Sequence, residues 1–183
     1  MAWRRILAPL AGEASDFVVL KAAGRLADDL KAHLDVALLK PDQTSFVPPV
    51  GYGRIADAVR ADLAKSAEEA WKETEAALRD EFASLVDRED LVVLDEPKGP
   101  GAASARLMTI EAGKAADIVL SLARCSDATI VGAGAADDRR PFSGVAESVV
   151  LRSGRPVLTV PGAGLPEEFN RVGVAWDGDP EVV

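Results

Sequence analysis

Apolar residues recur along this chain in two rhythms that take turns. Arg4–Leu10 is a short apolar run closed by Pro9-Leu10-Ala11-Gly12, the form of a buried parallel strand. After it, Val18, Val19, Ala22, Leu26 and Leu30 fall at three- and four-residue spacing behind Ser15, which predicts a helix capped by Ser15 with one buried face. Leu34–Leu39 reads as a second strand, and Pro41–Gly53, with three prolines and two glycines, as a loop. From Ile55 to Leu85 the positions Ile55, Val59, Leu63, Ala70, Trp71, Leu78, Phe82 and Leu85 keep a helical period among many charges. Two runs then compete for the third strand, Leu91–Leu94 and Ala105–Ile110. The second is favoured because Gly113 and a helical stripe of Ala116, Ile118, Val119 and Leu122 follow it directly. Ala128–Val131 is a fourth strand, Val145–Arg152 a helix stopped by Gly154 and Pro156, and Val157–Val160 a fifth strand.

Alternation of this kind predicts an α/β fold, a doubly wound five-stranded parallel sheet in the order 3-2-1-4-5 with helices on both faces. In such sheets a ligand sits beyond the carboxyl ends of the strands, where the winding reverses. Here that point falls between the first and fourth strands, which singles out Pro9–Gly12 and Gly132–Gly144.

Composition narrows the function. The 183 residues allow one core of ordinary size with a remnant, and a formal net charge of -9 argues against a nucleic-acid partner, whose phosphates need clustered cations. No apolar run approaches a membrane span, and the short run after Met1-Ala2-Trp3-Arg4-Arg5 does not make a signal peptide, so a cytoplasmic protein without a membrane partner is expected. The single Cys125 and single His33 exclude an intrachain disulfide and a thiol-rich zinc site; no metal ligands are assigned. Cys125 reads as a small core or boundary residue, and His33 as a group capping or solvating the end of the first helix.

The most distinctive stretch follows the fourth strand: Gly132-Ala133-Gly134, then Asp137-Asp138-Arg139-Arg140-Pro141, then Ser143-Gly144-Val145. As a dinucleotide fingerprint it fails, because acids and a proline intervene where glycines should run straight into a helix facing the pyrophosphate. The whole order of elements, with Pro9-Leu10-Ala11-Gly12-Glu13, Ile130-Val131-Gly132, Ser143-Gly144-Val145-Ala146-Glu147 and Pro156-Val157-Leu158-Thr159-Val160, resembles the universal stress protein family over about residues 4–161. The resemblance implies a stress-response protein, ATP as the family ligand, and a nucleotide cradle at Pro9, Ala11, Gly132, Gly134, Ser143, Gly144 and Val145. The ATP-binding members carry Gly, two residues, Gly, nine residues, then Gly with Ser or Thr. Counted from Gly132, Ala135 takes the second glycine and the Ser143-Gly144 pair is reversed. Counted from Gly134, Val131 takes the first glycine and Val145 the hydroxyl residue. The acid that contacts adenine in the family falls on Ala11. A degenerate nucleotide site is the expectation, since a lost buried polar partner costs about 1–3 kcal/mol. The bland alternatives are Ser143 as a helix cap, Arg139 and Arg140 as solvated loop residues, and Asp137 and Asp138 as loop solvation.

Finally, Arg5–Glu13 aligns on Arg171–Asp179, with Gly12 on Gly178 and Asp177 in the place of Ala11. This predicts a domain over 1–161, a linker over 162–169 and, from 170 to 183, the first strand of a second repeat, so that the chain is expected to be the front of a longer tandem protein. The expected function is non-enzymatic, with pairing to a second such domain or as a homodimer through the last strand, and an adenine nucleotide as the small-molecule partner. A slow ATPase is the alternative. A phosphoacceptor receiver domain is disfavoured because the first strand ends without an acid.

Overall fold

The computed structural model describes residues 3–41, 54–97, 102–112, 115–133, 143–166, 171 and 173. Its elements run β1 (Arg5–Leu10), α1 (Asp16–Leu30), β2 (His33–Pro41), α2 (Arg54–Arg88), β3 (Val92–Val93), β4 (Ser104–Ala112), α3 (Ala115–Arg124), β5 (Ala128–Gly132), α4 (Ser143–Arg152) and β6 (Val157–Val160). The sheet is parallel and six-stranded, in the order β3-β4-β2-β1-β5-β6. The five expected strands lie in the expected order, and both contenders for the third place are used: Ala105–Ile110 within β4, and part of Leu91–Leu94 as a short edge strand outside it. Both Val92 and Val93 are exposed, so β3 is held by its backbone pairing with Ser104 and Ala105 rather than by burial.

Strand alternation sorts the core into two layers. Ile6, Ala8 and Leu10 of β1 and Leu34, Val36 and Leu38 of β2 face α1 and α2, meeting Val19, Leu20 and Ala27 and the α2 residues Trp71, Leu78 and Phe82. Leu7, Ala37 and Leu39 face the other way, onto Val119 and Ala123 of α3 and Val145 and Val149 of α4. Each fully buried aliphatic side chain contributes about 1.5–3 kcal/mol. Helix α2 is only half committed to this core. Its 35 residues span about 52 Å, and whereas Trp71, Leu78, Phe82 and Leu85 are buried, Val59 and Leu63 of the same stripe are exposed.

His33 departs from the reading of its sequence. It opens β2 and is 2% exposed, with Nδ1 2.8 Å from Ser104 Oγ and Nε2 3.3 Å from Asp35 Oδ1. The end of α1 is closed instead by Lys31 in the left-handed conformation (φ 51), whose N–H bonds back to the Ala27 and Asp28 carbonyls. Cys125 is exposed in the turn after α3 rather than in the core.

Helices α1 and α2 meet closely at Gly24. A Cβ there would come within 2.4 Å of Leu85 Cδ1 and 2.7 Å of Leu85 Cγ, and Leu85 is itself fully buried. Alanine favours a helix over glycine by about 1 kcal/mol, but overpacking a closed core costs about 1–3 kcal/mol. The clash wins: Gly24→Ala is expected to destabilise the protein by about 1 kcal/mol or more, read as a lower urea midpoint with an unchanged slope.

Candidate functional site at the switch point

Strand β1 pairs with β2 on one side and β5 on the other, so the winding reverses between β1 and β5. A cleft of about 60 Å³ opens there. Its walls are Pro9 and Ala11 from β1 and the turn after it, Glu13, Ser15 and Asp16 from the entry to α1, Leu39 from β2, Val131 and Gly132 from β5, and Val145 and Ala146 from α4. Gly12 turns the chain with φ +82, and a Cβ on it would stand 3.2 Å from the Trp71 ring, so the turn passes directly under α2. Gly132 lies close to the helix entry: a Cβ there would meet Ser15 Oγ at 2.9 Å and Ser15 Cβ at 3.0 Å. A side chain at 132 would therefore press on the start of α1 and make Ser15 shift.

Asp16 dominates the chemistry of the cleft. This first residue of α1 is 5% exposed, and its Oδ2 accepts the N–H of Gly12 at 2.7 Å and of Glu13 at 3.0 Å. It ties the turn before α1 to the start of the helix, whereas Ser15 stands at the N-cap position without a side-chain cap bond and takes the Val18 and Val19 N–H groups on its carbonyl. Burial raises the Asp16 carboxyl to about 6, outweighing the backbone N–H bonds from Glu13 and Gly12 that favour its charged form. The turn's N–H groups that an incoming anion would use are thus already taken by an internal carboxyl group. With Glu13 on the lip as well, the described lining carries two acids and no cation.

Of the residues expected to form a nucleotide cradle, Pro9, Ala11, Gly132 and Val145 are brought together in this cleft. Ser143 opens α4 as its first helical residue. Gly144 is exposed, and a Cβ on it would meet nothing within 4 Å, so no close approach demands glycine there. Gly134 and Asp177 lie outside the described residues, as do Asp137–Pro141 and almost all of the 170–183 repeat. Sequence reasoning missed Glu13, Ser15, Asp16 and Leu39 as cleft residues; an acid in the first turn of a helix just after a glycine turn is the signal for Asp16. A larger cavity of about 380 Å³ lies elsewhere, between Phe17, Lys21 and Arg25 of α1, Glu81 of α2, and Gly164 and Leu165 beyond β6. The smaller cleft is the better candidate, because the strand ends and the winding reversal converge there and not on the larger cavity. Among the described residues no three His, Cys, Asp or Glu side chains converge to hold a metal ion.

No family model and no curated protein matches the chain. Solved structures do. A universal stress protein family member from Burkholderia pseudomallei is 24% identical, covers 87% of this chain and 97% of its own, and superposes with a TM-score of 0.52. Universal stress protein UspA from Lactobacillus plantarum is 13% identical, with coverage of 87% and 98% and a TM-score of 0.51. The fold is that of the universal stress proteins. Within a universal stress protein fold, the 60 Å³ cleft sits where the sequence placed the ligand, but it is far smaller than the roughly 300–1,000 Å³ of ordinary small-molecule sites.

The raised Asp16 carboxyl makes stability depend on pH in a definite direction. The folded chain holds this proton more tightly than the unfolded chain, whose carboxyl titrates near 3.8. The favourable contribution is therefore complete below pH 3.8 and lost as pH rises through about 6, a change of about 3 kcal/mol. Asp16→Asn is expected to remove this component, so that urea unfolding between pH 4.5 and 7.5 shows a flatter profile than the parent protein.

Proposed function

We propose that the chain is a non-enzymatic member of the universal stress family, acting in the stress response, whose switch point in this domain no longer binds a nucleotide tightly. The observation that carries this reading is the Asp16 carboxyl group seated on the Gly12 and Glu13 N–H groups at the start of α1. A phosphate brought there would face a group of its own sign and find no cation in the described lining. Ala11 adds to the argument, because it places a methyl group where the family resemblance implies an acid to receive the adenine amino group. Isothermal calorimetry with ATP, with and without magnesium, is expected to give a Kd in the millimolar range or no heat, and a phosphate-release assay no turnover. Tight stoichiometric ATP binding overturns the loss of affinity, and turnover revives the slow ATPase.

Pairing through the last strand belongs to the same reading. Strand β6 is the edge of the sheet beside β5, and Val150 and Leu151 of the preceding helix are exposed. A strand edge without a partner strand among the described residues, next to apolar side chains, favours addition of a second sheet. The match of Arg171–Asp179 to Arg5–Glu13 supports a second repeat as the natural partner in a tandem protein. Sedimentation equilibrium of the 183-residue chain is expected to give a dimer that Leu151→Asp shifts toward monomer; a monomer at every concentration argues against pairing through this edge.

A further inference from the structure

At the end of the sheet opposite the switch point, three adjacent strands place charged groups on the face of α3 and α4. The register sets Leu7 of β1 and Arg106 of β4 on either side of Asp35 of β2, with Arg5 beside His33. Asp35 is 3% exposed and receives Arg5 Nε on Oδ2 at 2.5 Å and Arg106 Nε on Oδ1. Each guanidinium thus spends a single N–H on the buried carboxylate and reaches water with the rest; the two side chains are 26% and 23% exposed. The terminal nitrogens of Arg106 have no protein partner among the described residues. Those of Arg5 have one loose neighbour, the Glu96 carboxylate, 3.6 Å from Nη1 on a side chain that is 72% exposed. Two guanidiniums against one buried carboxylate leave one positive unit, which only the exposed Glu96 carboxylate balances.

We propose that Arg5 and Arg106 form a receptor for a carboxylate group, which binds their outward N–H groups in place of Glu96. Three observations point to this class. Guanidinium forks match the flat, two-oxygen geometry of a carboxylate. Their Nε atoms are already fixed by Asp35, so little side-chain freedom remains to be lost on binding. With Glu96 moved aside, the one positive charge that remains suits a monoanion, whereas a phosphate dianion meets Asp35 directly behind the guanidiniums. The protein's own Glu96 shows the group that the site attracts, held beyond hydrogen-bond distance and therefore displaceable. The carboxylate is that of a free organic acid or of an acidic side chain on a partner protein. The site shares no residue with the switch point.

The test follows the Arg Nε–Hε resonances of the full chain by NMR at constant ionic strength, with acetate, a short capped glutamate peptide and inorganic phosphate as separate titrants. Acetate and the peptide are expected to shift Arg5 and Arg106 saturably. Equal affinities assign the site to a free acid, and tighter peptide binding assigns it to a partner's acidic segment. Glu96→Gln removes an exposed competitor and is expected to tighten binding by about two- to fivefold, while Arg106→Gln abolishes saturation. Because Arg106 also holds Asp35, a second readout protects the conclusion. In the otherwise unaltered protein, acetate is expected to shift the Arg5 and Arg106 Nε–Hε resonances and to leave in place that of Arg79, an exposed arginine paired to Glu75 on α2. Unchanged affinity in Glu96→Gln, shifts no larger than those from chloride, or tighter binding of phosphate than of either carboxylate overturns the proposal.

Discussion

One buried carboxylate ties the centre of the sheet together. Asp35 accepts a guanidinium from the strand on each side of it, Arg5 of β1 and Arg106 of β4, so three neighbouring strands share a single polar anchor. Because side chains alternate across a sheet, a slip of one residue in either pairing would carry an arginine through to the α1–α2 core and strip the buried Asp35 of one of its two guanidinium partners. Burial alone pushes this carboxyl up, but His33, Arg5 and Arg106 together outweigh it and hold it at about 2. Hydrophobic alternation lets strands stack; this ion cluster says in which register. The positions of Pro9 and Ala11 at the switch point are downstream of that register.

Asp16 and Asp35 are the same residue in opposite circumstances. Both are buried, yet one carboxyl is raised to about 6 and the other lowered to about 2. The difference lies in their partners. Neutral backbone N–H groups at Asp16 do not repay the loss of water, whereas the His33 ring and two guanidiniums at Asp35 together do. The sheet therefore has unlike ends: an acidic cleft at the carboxyl ends of its strands and a cationic pair near their starts. The overall charge of -9 conceals this polarity, because it averages the two ends.

Most of the architecture was legible because it rests on periodicity. Arg5–Leu10 and Ala128–Gly132 are buried or half-buried runs too short for helices, Val157–Val160 is another broken only by the exposed Thr159, and α1 keeps one apolar face. What escaped has a common cause: it is decided by neighbours distant in sequence. Val92 and Val93 are a strand because β4 offers its edge, not because they are buried. Val59 and Leu63 keep the helical period of α2, yet the helix outruns the core it covers. His33 looks like a helix-end residue until Ser104, 71 positions later, places a hydroxyl on its ring. At the cleft, Pro9, Ala11 and Gly132 were found from strand ends and glycines and Val145 from the family resemblance, whereas Asp16 was hidden by the more familiar cap residue beside it.

The cleft satisfies the donors of its own turn. The N–H groups of Gly12 and Glu13 would otherwise need a partner from solvent or from a ligand. Here Asp16 supplies that satisfaction from within the chain, and Gly132 lets β5 close against Ser15. A site that satisfies its own donors gains less from an incoming anion, because each new hydrogen bond must first break an old one. On the function proposed above, Ala11 and Asp16 therefore act in the same direction. Ala11 offers the base no acceptor, and Asp16 already occupies the N–H groups that a phosphate would use.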